Sequence, residues 1–290
     1  MTANRVIGVD LGGTKVLAGV VDEHGEVLET IERPTVTTSQ HALLDELADV
    51  VRSLSQERVR AVGFGIPTRV DPESGRAVGA AVNVPVRDVA FRAEMQRRLG
   101  MPVEIENDAS CAAYAEFVFG AGRGARDLVM LTLGTGVGGG AVSHGRLFRA
   151  WTEFGHMVIV ADGEPCHGAC SGRGHVEAYC SGRALDIRAR ELIGPDATAH
   201  DLVRESHPVL IETGHYLGIA IGSLINIFGA TRVIIGGGFG AAAFDLLVAP
   251  ARLAVLQEAL SPAGQSLEIE RAALAAAGVI GAGLLAFEAS

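Results

Sequence analysis

The chain has 290 residues, 48% of them hydrophobic and 20% charged, and a formal net charge of −10. That length exceeds one core of about 100–150 residues and implies two lobes, while the hydrophobic share excludes intrinsic disorder. The acidic balance argues against nucleic-acid binding and against an anionic membrane surface; it leaves phosphate sites open, because backbone amides hold phosphate whatever the net charge.

In chain order, Arg5–Asp10, Lys15–Val21 and Glu26–Glu32 read as strands, with a turn at Asp22–Gly25. Ser39 caps a helix to about Ser55, in which Leu43, Leu44, Leu47, Val50, Val51 and Leu54 recur at helical spacing. Ala61–Ile66 is a strand, Phe91–Leu99 a helix closed by Gly100, and Val103–Glu106 a strand. Asn107 or Asp108 caps the next helix, which Gly120 ends. Strand Leu128–Leu133, a short strand after Gly140 and the turn His144-Gly145 open the second half. Helices follow near Gly182–Leu192, Leu210–Phe228 and Phe244–Glu258, with strand Arg232–Ile235 between the last two. Alternating strands and helices predict an α/β fold with partly parallel sheets, and no repeat of 20–50 residues is visible.

The N-terminus enters an apolar strand at once, without the basic and apolar stretches of a secretion signal. The uncharged run Ala272–Phe287 is shorter than the roughly 20 residues a spanning helix needs, and reads as a buried helix. Cys111, Cys166, Cys170 and Cys180 do not make a disulfide framework, so the expectation is a cytoplasmic protein with reduced thiols and no membrane partner.

Glycines cluster at the ends of apolar runs. In Asp10-Leu11-Gly12-Gly13-Thr14-Lys15, the glycine pair exposes backbone N–H groups, Thr14 adds a hydroxyl, and Asp10 can hold Mg²⁺ through water. A plain hairpin turn is the other reading. Gly134-Thr135-Gly136-Val137-Gly138-Gly139-Gly140 has too many glycines for a packed strand and points to backbone lying against a ligand. It also fits the dinucleotide pattern, with Glu153 about 20 residues on, but that pattern needs a helix where this chain continues as strand and turn. Gly236-Gly237-Gly238-Phe239-Gly240 does precede a helix, and shows a close approach to some nucleotide. No G-x-x-x-x-G-K-[ST] motif is present.

Glu104-Ile105-Glu106-Asn107-Asp108 puts carboxylates at a strand–helix junction. The helix dipole favours the charged form of Asp108, and a carboxylate there can take the proton of a hydroxyl attacking phosphorus. A cap without catalytic work is the competing reading.

Taken together, Asp10 to Lys15, Glu106-Asn107-Asp108-Ala109, Leu133 to Gly140, and Glu153-Phe154-Gly155-His156 followed by Cys166 to Glu177 resemble the ROK family (repressors, open reading frames, kinases). The likeness covers essentially the whole chain, and Gly65-Ile66-Pro67 and Val82-Asn83-Val84 sit where that family keeps sugar-contacting loops. It implies a two-lobed actin-like ATPase (ribonuclease-H-like) fold with a ligand cleft between lobes. Residues 1–107 with 272–290 would form the small lobe, and 108–271 the large lobe with a zinc loop. The implied activity is an ATP-dependent hexose kinase, glucose being the first choice. N-acetylmannosamine or another hexose, polyphosphate as donor, and a non-catalytic sugar sensor are the alternatives. A DNA-binding repressor is not expected, since only nine residues precede Asp10 and the chain is acidic. A dimer or larger homo-oligomer is implied.

Matched residue by residue, Asp108 resembles the catalytic base, and Asn83, Asn107, Glu153, His156 and Glu177 the sugar ligands. Gly12, Gly13, Thr14, Gly134, Thr135 and Gly136 resemble the phosphate loops, and Gly237 and Gly238 the loop near adenine. Two departures stand out. Pro67-Thr68-Arg69 replaces the family's Pro-Gly beside the sugar, and the zinc signature is altered: Cys166 stands two positions early and His175 replaces the last cysteine. Read by its own chemistry, the cluster is C-x3-C-x4-H with His156 upstream. Two thiolates and two imidazoles suit a tetrahedral structural Zn²⁺ on His156, Cys166, Cys170 and His175, with His167 as an alternative to Cys166. Free thiols or a Cys166–Cys170 disulfide are the other readings, and Cys111 and Cys180 read as core residues.

Overall fold

Strands β1 (Arg5–Leu11), β2 (Lys15–Asp22) and β3 (Val27–Pro34) open the chain, followed by helix α1 (Gln40–Ser53). Next come β4 (Val59–Ile66), β5 (Arg69–Asp71), β6 (Arg76–Ala80), β7 (Arg87–Val89), α2 (Phe91–Leu99), β8 (Val103–Asn107) and α3 (Asp108–Phe119). After β9 (Leu128–Leu133), β10 (Val137–Ser143), β11 (Arg146–Leu147) and a 3₁₀ turn (Phe154–His156) lie α4 (Val176–Cys180), α5 (Gly182–Leu192), α6 (Ala199–Arg204) and α7 (Val209–Phe228). Strand β12 (Arg232–Gly236), α8 (Gly238–Glu258), α9 (Ala263–Ser266), β13 (Glu268–Arg271) and α10 (Ala277–Ala289) complete it. This computed structural model describes residues 4–55, 57–81, 83–167 and 170–290.

Local signals explain most element ends. The Ser39 hydroxyl accepts the N–H of Ala42 at 3.1 Å and starts α1, whose Leu43, Leu44, Leu47, Val50 and Val51 are buried. Gly100 closes α2 in the left-handed region at φ 70°. Helix α8 begins six residues before the expected Phe244, because its start is Gly- and Ala-rich and carries no apolar period. Gly237 makes the bend into it at φ 80°. Strands β5, β6, β7 and β13 and the short helices α4, α6 and α9 carry too few residues to announce themselves in sequence.

The chain divides into two compact units: 1–120 with 148–151 and 274–290, and 121–147 with 152–273. The first unit holds a five-stranded sheet in the order β3-β2-β1-β4-β8. Its β3-β2-β1 part is antiparallel, while β4 and β8 run parallel to β1. A small antiparallel sheet β5-β6-β7 belongs to the same unit. Helix α10 lies directly on the large sheet and on α3. A Cβ at Gly63 would collide with the Ala282 carbonyl, and one at Gly281 with the Cys111 carbonyl. The Gly- and Ala-rich C-terminus is therefore a close-packing face, and its helix is buried as expected, although it starts at Ala277.

The second unit repeats the same plan, with sheet order β11-β10-β9-β12-β13. Strands β9, β10 and β11 are antiparallel, and β12 and β13 are parallel to β9. In each unit the hairpin between the central strand and its antiparallel neighbour is a glycine turn, at Gly12-Gly13 and at Gly134–Gly136. Among the described residues one helix, α8, is long and apolar enough to cross a membrane by composition, with 39% of that window buried. Its apolar side is met by α7, where Gly214 faces Leu247 and Pro250 and Gly218 faces Ala251 and Ala254.

Candidate functional site

In the first unit, Asp10 lies near the end of β1 and the turn to β2 is tied by Gly12 N–H donating to the Lys15 carbonyl at 2.9 Å. Thr35 adds its hydroxyl to the Gly12 carbonyl at 2.7 Å and its N–H to the Thr14 carbonyl at 2.9 Å. The segment is a hairpin, so the plain-turn reading describes its backbone correctly. Its surroundings go further. A Cβ on Gly13 would lie 2.8 Å from Cβ of Asn83, so the missing side chain lets Asn83 approach the turn. Lost solvation pushes the Asp10 carboxyl up to about 7, helped by the negative Asp108 and opposed by Lys15. A carboxylate held this way gains its charge most readily against a cation, which is the donor chemistry Mg²⁺ requires.

Asn107 and Asp108 end β8 and start α3. The two readings of the cap separate here: Asn107 Oδ1 accepts the N–H groups of Ala109 at 3.0 Å and Ser110 at 3.1 Å, and is the N-cap. Its Nδ2 donates to the Thr68 carbonyl at 3.4 Å. Asp108 is the first helical residue, half-buried, with Oδ1 accepting from Ala109 N–H at 2.8 Å. Capping is thus the work of Asn107, and the neighbouring Asp108 carboxylate sits at the positive end of α3.

Two arginines that sequence reasoning did not single out hold this junction. Arg149 Nε donates to Glu106 Oε2 at 3.0 Å and Arg149 Nη2 to the Ile105 carbonyl at 3.1 Å. Arg92 Nε donates to Glu104 Oε1 at 3.1 Å, and Arg149 lies 3.4 Å from the same carboxylate. Glu106 is only 3% exposed; burial pushes its carboxyl up, while Asn107 N–H and Arg149 pull it back. Arg149 comes from residues 148–151, far from β8 in sequence, so no local pattern could have revealed it. In the departing Pro67-Thr68-Arg69 segment, Arg69 stacks 4.9 Å from the Trp151 ring centroid.

In the second unit, Gly134 N–H donates to the Gly136 carbonyl at 2.9 Å and tightens the turn into β10. The glycines here do have packing reasons, contrary to expectation. A Cβ on Gly136 would strike Glu177 Oε2, and one on Gly139 would lie 2.5 Å from the Phe154 ring and 2.7 Å from the Met130 carbonyl. Gly134 alone among these three faces open space. Phe154 is buried against Phe228, ring centroids 5.6 Å apart, and so anchors the turn that presents Glu153 and His156. Gly237 and Gly238 form the start of the long α8, which has no side-chain cap; a helix start of this kind presents backbone N–H groups to an anion.

The metal candidates converge. One ligand atom from each of His156, Cys166, Cys170 and His175 lies within 4.8 Å of the others, and His167 falls outside this group. The two imidazole Nδ1 atoms are 3.2 Å apart, and Cys170 Sγ is 3.6 Å from His175 Nδ1. A tetrahedral zinc shell would separate two nitrogens by about 3.3 Å and a nitrogen and a sulfur by about 3.6 Å. Gly172 N–H donates to Cys170 Sγ at 3.1 Å, a bond that supports a thiolate. Burial and the neighbouring His156 push His175 down, towards the neutral ring a metal takes. The residues fit the ion. Gly168 and Ala169 of this loop, and Val82 beside Asn83, lie outside the described residues. Cys111 and Cys180 are fully buried, and burial pushes both thiols up, as befits core residues. A cavity of about 530 Å³ between α4, α5 and α7 is walled by Tyr179, Tyr216 and Arg188, and His167, the alternative ligand, lies on its wall.

Comparison with known proteins fits this arrangement. Residues 6–289 match the model of the ROK family. The chain is 35% identical to the glucokinase of Streptomyces coelicolor over 275 residues, 85% of each chain. It is 33% identical to the glucokinase of Thermotoga maritima over 96% of each. Among solved structures, a ROK family glucokinase from Streptomyces griseus, in complex with glucose and AMPPNP, superimposes with a TM-score of 0.85 at 31% identity. That match covers 98% of this chain and 100% of the other. The fold superimposes on that of a family member over nearly its whole length, and the chain belongs to the ROK family.

Proposed function

We propose that this chain is an ATP-dependent hexose kinase that carries a phosphoryl group to a sugar hydroxyl, glucose to glucose 6-phosphate being the favoured reaction. The observation that carries the chemistry is the division of labour at the start of α3: Asn107 caps the helix and Asp108 stands beside it as the proton acceptor. Asp108 takes the proton of the attacking hydroxyl. Asn83, Asn107, Glu153, His156 and Glu177 orient the sugar. Gly12, Gly13, Thr14, Gly134, Thr135 and Gly136 hold the phosphates of ATP through backbone N–H groups and the threonine hydroxyls, and Gly237 and Gly238 meet the nucleotide at the start of α8. Asp10 would hold Mg²⁺, which supplies charge neutralisation of the phosphates. Zn²⁺ on His156, Cys166, Cys170 and His175 would supply rigidity to the loop ending at Glu177.

The Streptomyces griseus relative was determined with glucose and AMPPNP, which supports both substrates. Thr68, standing where the family has glycine beside the sugar, favours one second reading, a different hexose such as N-acetylmannosamine. The expected location is the cytoplasm, and the expected assembly a homo-oligomer. A coupled ADP-release assay over a hexose panel is the test: glucose should give the highest kcat/KM. Turnover greater with an N-acetylated hexose would move the assignment to that sugar, and sugar binding with no ADP release from any hexose would leave a sensor.

A further inference from the structure

Val137 is the first residue of β10, directly after the Gly134-Thr135-Gly136 turn. Its backbone N–H donates to Glu177 Oε2 at 2.9 Å. The other oxygen of the same carboxylate, Oε1, lies 3.8 Å from Cys166 Sγ, which donates to it only as the free thiol. Position 136 is glycine because that carboxylate occupies the space a side chain would fill. On its other flank Glu177 sits in the first turn of α4, whose N-cap is His175. One side chain thus touches the glycine turn and one member of the Cys/His cluster, and stands two residues from another.

A glycine turn has little stiffness of its own, since each glycine has the widest backbone freedom of any residue. Something outside the turn must fix it if its N–H groups are to be preorganised for phosphate. The bond from Val137 to a carboxylate is charge-assisted and among the stronger hydrogen bonds available. The carboxylate is in turn only as fixed as α4, and α4 starts at a residue of the cluster. We infer that Glu177 is a positioning residue that couples metal occupancy of the His156–Cys166–Cys170–His175 cluster to the geometry of the Gly134–Gly136 turn, so that nucleotide is held tightly only when the cluster is loaded. This rests on reading the glycine turn as a nucleotide site, and it adds to the sugar contact proposed for Glu177 a second task directed at ATP.

The test uses the full chain, zinc-loaded and chelator-stripped, as wild type, Glu177→Ala and Glu177→Gln. ADP binding is measured by calorimetry and exchange of the Val137 amide by hydrogen–deuterium exchange, with zinc content checked in each sample. Stripping should weaken ADP binding to the wild type by about tenfold, the loss of one charge-assisted bond, and should speed Val137 exchange. Glu177→Ala should start at the weakened value and respond little to stripping, the signature of coupled residues. Glu177→Gln keeps a carbonyl oxygen for Val137 and should recover most of the affinity. Equal losses on stripping in wild type and Glu177→Ala, or Val137 exchange that ignores the metal, would overturn the coupling and leave the kinase assignment standing. Loaded wild type that binds no ADP would overturn both.

Discussion

The carboxylate of Asp10 occupies the place where a side chain of Gly278 would be: a Cβ at that position would collide with Oδ2. The first turn of the C-terminal helix is therefore shaped around a residue near the other end of the chain. Gly278→Ala should displace Asp10 with little loss of fold, because alanine favours a helix over glycine by about 1 kcal/mol and offsets part of the clash. The expected result is a kcat lowered by about tenfold or more and a higher Mg²⁺ requirement. A Mg²⁺ titration of the rate checks it; an unchanged midpoint in a slower enzyme would place Asp10 away from the metal.

Asp10 also predicts a pH dependence. Its carboxyl titrates at about 7 in the folded chain against an ordinary 3.8. Between those values the folded state keeps a proton that the unfolded state has released. By linkage, stability falls as pH rises from about 4 to about 7 in metal-free buffer. Asp10→Asn should show a flatter decline over that window. Denaturant midpoints at several pH values decide it, and parallel curves for the two proteins would remove Asp10 from the account.

Asp108→Asn keeps shape and hydrogen bonding and loses proton acceptance. We expect kcat to fall by about 10²-fold or more, with sugar affinity changed much less. Steady-state kinetics beside direct sugar titration separates the two effects, and near-normal turnover would remove Asp108 from the role of base.

Arg149→Ala would leave Glu106 buried and without its guanidinium partner. The expected destabilisation is about 2–4 kcal/mol, read from chemical denaturation. Adding Glu106→Gln should recover part of it by removing the charge. If the double variant is less stable than the single one, the ion pair is not the source of the loss.

His175→Ala should reduce bound zinc from about one per chain to a small fraction, measured by elemental analysis after purification without chelator. Because Glu177 follows two residues later and bonds Val137, the KM values for both sugar and ATP should rise. Full zinc content in the variant would reject His175 as a ligand.

Much of this protein was legible in its sequence, for local reasons. Ser39, Gly100 and Asn107 mark helix ends through bonds that reach only a few residues. The apolar period of α1 fixes its buried face. The cluster His156, Cys166, Cys170 and His175 was readable because metal-ligating side chains are rare and sit close together in the chain. The glycine clusters announced close approach, though not what approaches. At Gly136 and Gly139 the neighbours are Glu177 and Phe154, which lie 41 and 15 residues away in the chain.

What only the tertiary structure decided involves partners distant in sequence. The two sheets share one plan of three antiparallel strands followed by two parallel ones, a duplication carried by backbone topology rather than by repeated residues. Arg149 reaches Glu106 across 43 positions and Glu177 reaches Val137 across 40. No pattern of period two or 3.6 encodes such pairs, because they depend on how strands and helices stack after each has formed. The sequence by itself determined which elements form and which residues could do chemistry; the packing of α10 on Asp10, and of α4 on the glycine turn, decided how those residues are held.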